Sequence, residues 1–287
     1  MSATSRKSIK RKQQQESNEI ELKRQKTKSC FKRTYTLTFG DQAETHVGMK
    51  RIGALKESGF SLDDLKEIKK RCGSDRCELI QLNQYLDESL RKDVNQQAAI
   101  LVIRNGVTLI GNSNADALFD ELSTLETDKK AKMRGKVVNK RARHNLCFGV
   151  QAQQPDYEQG KGRIVAFDSV PLLNKMRMHL PDVLTDKAKG LVVELNDYFD
   201  VEKCGIGYHG DGERRRVIGV RLGATCPLHY QWYKATKPVG ENVALSLHHG
   251  DVYVMSEKAV GFDWKQRSKV TLRHAAGCKK FVTPKRK

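Results

Sequence analysis

The sequence has no run of apolar residues approaching the roughly 20 that a helix needs to cross a bilayer, and its Lys/Arg-rich start has no apolar stretch of the kind that makes a secretory signal. Both absences point to a soluble protein made inside a cell, without a membrane partner. Paired cysteines are missing too. The seven cysteines are odd in number and scattered. Cys72 and Cys77 are close, but no second pair stands at zinc-ligand spacing, so the cysteines read as reduced packing thiols. No internal repeat is evident. Acidic residues are also scarce: 34 Asp and Glu against 53 Lys and Arg leave a net charge of +19. Such an excess attracts polyanions, and nucleic acid is the commonest target.

The length of 287 residues allows one large domain or one domain with a smaller companion. Residues 1–33 are Lys-, Arg-, Gln- and Ser-rich, and too poor in large apolar groups to offset the entropy of ordering, which predicts a disordered basic tail. Lys10-Arg11-Lys12 and Lys23-Arg24-Gln25-Lys26 have the spacing of a bipartite nuclear import signal; a solvated tail that adds affinity for nucleic acid explains them equally well. Residues 282–287 form a second basic tail. Residues 34–95 read as a small mixed α/β accessory unit. It has a strand through Tyr35, Leu37 and Phe39, a helix capped by Ser61 with Leu62, Leu65 and Ile68 on one face, and a second helical stretch from about Glu78 to Leu90. The main domain, residues 96–281, opens with a strand at Ala98–Ile103. Helices are expected at Asn114–Leu125, at Leu172–Leu180 ending before Pro181, and at Lys187–Leu195. From Cys204 onward the pattern changes to short strands separated by Gly, Pro and charged turns. The expected class is α+β, with a double-stranded β-helix (jelly-roll) core flanked by helices.

His209-Gly210-Asp211, at the end of an apolar strand, is the feature with the most chemistry in it. Side chains two apart on a strand point the same way, so His209 and Asp211 can share one metal ion. An imidazole and a carboxylate are also two of the three ligands that hold Fe(II) in non-haem oxygenases. Taken singly, His209 also fits a core histidine and Asp211 a turn cap. The surrounding order adds weight: Asn196-Asp197-Tyr198, then Ile206 to Arg214, then Val217-Ile218-Gly219-Val220-Arg221-Leu222-Gly223, then His249-Gly250-Asp251, and finally Arg267 and Arg273. His248-His249 is tempting as a metal pair, but a structural role is preferred there. His229-Tyr230-Gln231-Trp232-Tyr233 reads as a strand with alternating faces.

That series resembles the iron- and 2-oxoglutarate-dependent oxygenases, and within them the AlkB family of nucleic-acid dealkylating enzymes, over about residues 97–280. The resemblance implies Fe(II) as the metal and 2-oxoglutarate as the cosubstrate. His209 and Asp211 would bind the metal, and Asn196 and Tyr198 would contact 2-oxoglutarate. Arg267 would grip its far carboxylate, with Arg273 beside the chelating end. Glu213 would lie near the target base, and Lys136 and Arg141 would belong to a segment similar to the family's nucleotide-recognition lid. One departure stands out. The family's third ligand, a His, falls in the window Met255–Lys265, which holds none. Asp263 is nearest by register. His274 is the only later His, but its neighbour Arg273 would face the other way on a strand, so a bulge or twist would be needed to bring it round. The third alternative is that no third ligand exists. The expected function is oxidative demethylation or hydroxylation of bases in DNA or RNA by a nuclear or otherwise nucleic-acid-associated monomer. The alternatives are a catalytically inactive nucleic-acid-binding protein on the same fold and an oxygenase acting on protein side chains.

Overall fold

The computed structural model describes residues 31–46, 50–111 and 113–284. The two N-terminal basic clusters and the last three residues of the C-terminal tail lie outside these residues. The described chain has an α+β architecture dominated by two antiparallel sheets. The large one has eight strands, in the order β4 (Cys77–Gln81), β5 (Ala99–Ile103), β15 (Val252–Met255), β12 (Val217–Gly223), β1 (Thr34–Gly40), β10 (Val192–Tyr198), β8 (His144–Gly149) and β9 (Ile164–Ala166). Only β8 and β9 run parallel. The small sheet has four strands, in the order β11 (Gly205–His209), β16 (Thr271–Gly277), β13 (Leu228–Lys234) and β14 (Lys237–Leu245). Two hairpins stand apart from both sheets: β2 (Gln42–His46) with β3 (Lys50–Gly53), and β6 (Lys130–Met133) with β7 (Lys136–Asn139).

Alternation along the strands sets the layers. Tyr35, Leu37 and Phe39 of β1 turn to one face of the large sheet, with Ile218, Val220 and Leu222 of β12 and Leu101 and Ile103 of β5. Four helices cover that face: α1 (Leu62–Cys72), α2 (Gly106–Gly111), α3 (Ala115–Ser123) and α4 (Pro171–Val183). Ser61 and Asp64 close a reciprocal capping box at the start of α1, which buries Leu65, Ile68 and Cys72. The other face of the large sheet looks at the small one. Near β5 and β15 the two sheets interlock through Ile100, Val102, Tyr253, Tyr230, Trp232 and Leu272; further along they part around a cavity. Both faces of β1 are buried, so its threonines sit inside the protein too.

Several expectations are corrected here. Residues 34–95 are not a separate unit. β1 pairs with both β10 and β12 in the middle of the large sheet, and β4 extends the same sheet through β5. Order also begins before Thr34, because the Phe31 ring packs 5.0 Å from Phe119 and 5.4 Å from His249. The second expected helix is instead β4, a 3-10 turn at Leu82–Tyr85 and a short helix at Glu88–Arg91. The helix expected at Lys187–Leu195 is a 3-10 turn at Asp186–Ala188 followed by β10, where Val193 and Leu195 face the helices while Glu194 and Asn196 face the cavity. A period of two wins there over helix propensity because both neighbouring strands offer hydrogen bonds. Helix α4 runs through Pro181 to Val183. The six described cysteines are free thiols. Among the described residues no helix is long and apolar enough to cross a membrane.

Candidate metal centre and its cavity

Between the two sheets lies a cavity of about 760 Å³. His209 ends β11 and His274 lies on β16; the two are direct cross-strand partners with ring centroids 4.5 Å apart. Asp211 follows in the turn after β11, its amide donating to the Val260 carbonyl at 3.0 Å. Its Oδ1 is 3.5 Å from His209 Nε2 and 3.6 Å from His274 Nε2. One ligand atom from each of the three residues falls within 4.8 Å of the others. Two ligands bound at about 2.1 Å and near right angles stand about 3 Å apart, so Asp211 Oδ1 would close on each imidazole by roughly half an ångström.

The orientation of these groups suits metal binding. His209 Nδ1 donates to the Gly207 carbonyl at 2.8 Å, which leaves Nε2 to present a lone pair to the cavity. His274 Nδ1 is buried without a partner. Burial, together with the neighbouring His209, holds the His274 imidazole below its ordinary pKa. Burial pushes the Asp211 carboxyl up, but the charge of Arg214 and its contacts with both histidines overcome this and hold it well below the carboxylate range. Two imidazoles and a carboxylate form a donor set that fits Fe(II) and leaves the cavity side open.

The residue that joins His209 and Asp211 in a group able to hold a metal is thus His274 and not Asp263. Asp263 Oδ2 accepts from Lys258 Nζ at 2.6 Å, and it is not among the three clustered groups. The opposed directions of Arg273 and His274 hold as expected, with His274 as the inward member. The irregularity lies in β11, where a register shift between Ile206 and His209 brings His209 opposite His274; against β13, β16 pairs Tyr230 with His274 and Gln231 with Arg273.

The expected carboxylate anchors are elsewhere. Arg267 is exposed in the turn before β16. Arg273 lies on the outer face of the small sheet, 4.2 Å over the Tyr233 ring. Neither lines the cavity. The cavity instead holds Arg221, fully buried on β12. Its Nη1 donates to the Thr36 hydroxyl, and its Nε has no partner. Among the described residues no carboxylate pairs with it; of the cavity's four acids Glu44 pairs with Arg51 and the other three serve Arg214. Buried Arg214 takes Glu194 at 2.7 Å, Glu213 at 2.7 Å and Asp211 at 3.8 Å. A permanently charged fork buried without a counter-ion is a ready site for an anionic ligand. Its one signal in the sequence was a lone Arg in the apolar run Val217–Gly223.

The remaining expected residues divide. Asn196 and Tyr198 line the cavity. Asn145, Asn196, Thr36 and Arg221 form one row across four adjacent strands, and Arg143 Nε donates to Asn196 Oδ1 at 2.6 Å. Glu213 lines the cavity but is engaged with Arg214. Arg141 lies at the mouth beside Lys140 and Met133, whereas Lys136 is exposed on β7 away from it. Trp264 borders the cavity without filling it. The histidine pair at 248–249 is structural: the Gly223 amide donates to His249 Nδ1 at 2.8 Å, and His248 Nδ1 lies 3.1 Å from the Thr225 hydroxyl. No family model matches the chain. A search of known proteins found the uncharacterized protein R156 of Acanthamoeba polyphaga mimivirus, which is 52% identical over 255 residues. That match covers 88% of this chain and 98% of the viral protein, so the chain belongs to the same family as the mimivirus protein.

Proposed function

We propose that the protein is an Fe(II)- and 2-oxoglutarate-dependent dioxygenase acting on nucleic acid, with the two facing sheets forming a double-stranded β-helix. One observation carries the reading: a His/Asp/His group and a buried arginine without a counter-ion share one cavity. When bound, Fe(II) and 2-oxoglutarate supply the oxidising chemistry: O2 is consumed, 2-oxoglutarate becomes succinate and CO2, and a methyl on a base nitrogen is hydroxylated and lost as formaldehyde. The chain's residues hold and orient. His209, Asp211 and His274 bind the metal, with the Gly207 carbonyl fixing the His209 tautomer. Arg221 receives the far carboxylate of the diacid, with Thr36 and Tyr198 as neighbouring hydroxyls. Tyr253 and Trp264 help keep water out of the cavity wall. Lys140, Arg141 and Arg143 at the mouth attract the phosphates of the strand whose base enters. The Lys- and Arg-rich composition favours nucleic acid over protein side chains as the substrate, and the basic clusters near the N-terminus suit a nuclear or nucleic-acid-associated location.

Titration with Mn(II), followed by calorimetry, tests the centre. Binding is lost in His209→Ala, Asp211→Ala and His274→Ala and survives in Asp263→Ala. Turnover is read as succinate and formaldehyde on methylated oligonucleotides. Metal binding without succinate from any nucleic acid or peptide would overturn the enzymatic reading.

A further inference from the structure

The outer face of the small sheet carries a second concavity, of about 670 Å³. Its walls combine three aromatic rings, Tyr208, Tyr233 and Phe281, with three cations, Arg273, Lys237 and Lys280. No acidic residue lines it, and none of the three cations takes part in an ion pair among the described residues. The Arg273 guanidinium carbon sits 4.2 Å from the centroid of the Tyr233 ring and 5.4 Å from that of Trp264, while its Nε has no partner. Lys280 Nζ lies 4.9 Å from the Phe281 ring. Tyr208 is held in place, its hydroxyl donating to the Val282 carbonyl at 3.0 Å and accepting from Asn242 Nδ2 at 2.5 Å. Because strands alternate, Tyr208 and Arg273 face outward where their neighbours His209 and His274 face the metal cavity. The two concavities therefore stand back to back across a single sheet.

We propose that this outer concavity is a second nucleic-acid site, which holds a single strand by its phosphates and by one base stacked on an aromatic ring. Unneutralised cations interleaved with π-faces match a polymer in which charge and flat rings alternate, and such sites accept many sequences. The assignment rests on the nucleic-acid part of the function proposed above but needs no metal. The site holds the flanking strand and takes no part in the chemistry.

The test is fluorescence anisotropy of a labelled oligodeoxythymidine, titrated with the full chain over a series of salt concentrations. Removing two phosphate contacts, in the double variant Lys237→Ala/Lys280→Ala, lowers the affinity about tenfold near 0.1 M salt and reduces the log–log salt slope by about 1.4. Phe281→Leu weakens oligodeoxythymidine more than an abasic strand of the same length, because a stacking face is lost while the charge is kept. The control, Lys66→Ala/Lys70→Ala, removes equal charge from exposed positions on α1 in the helical layer. If the control pair weakens binding as much as the outer pair, or the outer pair has no effect, the outer site is overturned while nucleic-acid binding itself stands. If the unaltered chain binds no oligonucleotide, both are overturned. The outer variants keep full Mn(II) binding, which shows that they fold.

Discussion

Arg221 is a permanently charged side chain with no access to water and no counter-ion among the described residues. Such a group costs stability in the ligand-free protein and returns it when an anion binds. Replacing it by an apolar chain of similar length should therefore raise stability while abolishing function. Arg221→Met is expected to gain about 1–3 kcal/mol in the absence of ligand. It is also expected to lose the rise in melting temperature that 2-oxoglutarate gives the native chain in the presence of Mn(II). Thermal unfolding with and without the diacid checks both. An unchanged ligand shift in Arg221→Met would remove Arg221 from the site, whereas Arg267→Ala should keep the shift. Asp263 behaves differently. Its partner Lys258 is nearly inaccessible, with a side chain 3% exposed, so Asp263→Ala leaves a buried ammonium with only the Val270 carbonyl. The expected loss is about 2–3 kcal/mol of stability, given that Asp263 itself is partly exposed.

At the scale of single strands, β12 and β15 depend on a missing side chain. A Cβ on Gly219 would stand 1.9 Å from the Tyr253 ring, which lies across the position where β12 passes β15. Gly219→Ala should cost about 1–3 kcal/mol by overpacking and push the Tyr253 ring into the cavity, weakening 2-oxoglutarate binding measured by the same thermal shift. Strand β10 carries a titration. Asp197 faces away from Asn196 and Tyr198, next to Arg33 at 3.1 Å and His144 at 3.6 Å. Burial pushes its carboxyl up to about 6 from an unfolded value of 3.8, because Arg33, itself 44% exposed, only partly compensates. A folded pKa above the unfolded one means that the folded state resists losing the proton. The contribution of Asp197 is thus most favourable below about pH 4 and is lost as the pH rises from 4 to 6. His144, lowered by burial, works in the opposite sense, so the comparison is made between variant and native chain at each pH. Asp197→Asn is expected to be more stable than the native chain by about 2–3 kcal/mol at pH 7.5, with little difference at pH 4. Equal stability at both values would remove Asp197 as the origin.

The whole molecule is built around a strand from the far end of the sequence. After β16 the chain adds one short helix, Lys279–Val282, and no further strand among the described residues. The place in the large sheet between β10 and β12 is filled by β1. Deleting residues 1–40 therefore removes the middle of the sheet, together with Leu37 and Phe39, each worth roughly 2 kcal/mol of burial. It should abolish cooperative thermal unfolding. A truncated chain that melted like the native one would return residues 34–95 to the status of an appendage.

Much of this was written locally. The alternation of Tyr35, Leu37 and Phe39 with threonines marked a strand, and Ser61 marked the start of α1. The spacing of His209 and Asp211 placed both on one side of a strand end, and Asn196 and Tyr198 share a face by the same rule. Local pattern reaches only as far as neighbouring residues. His274, and not Asp263, stands beside His209 and Asp211 because β11 pairs with β16, and Arg221 became a buried cation only when β1 and β15 closed over its strand. Likewise, the family resemblance pointed to Arg267 and Arg273 as the carboxylate anchors, but their turn and outward face put them outside the cavity. Strand partners distant in the chain are selected by the total burial and hydrogen bonding of the assembled sheets, a sum that no segment carries alone. The residue types and their periodicity belonged to the sequence; the company each side chain keeps was decided by the tertiary structure.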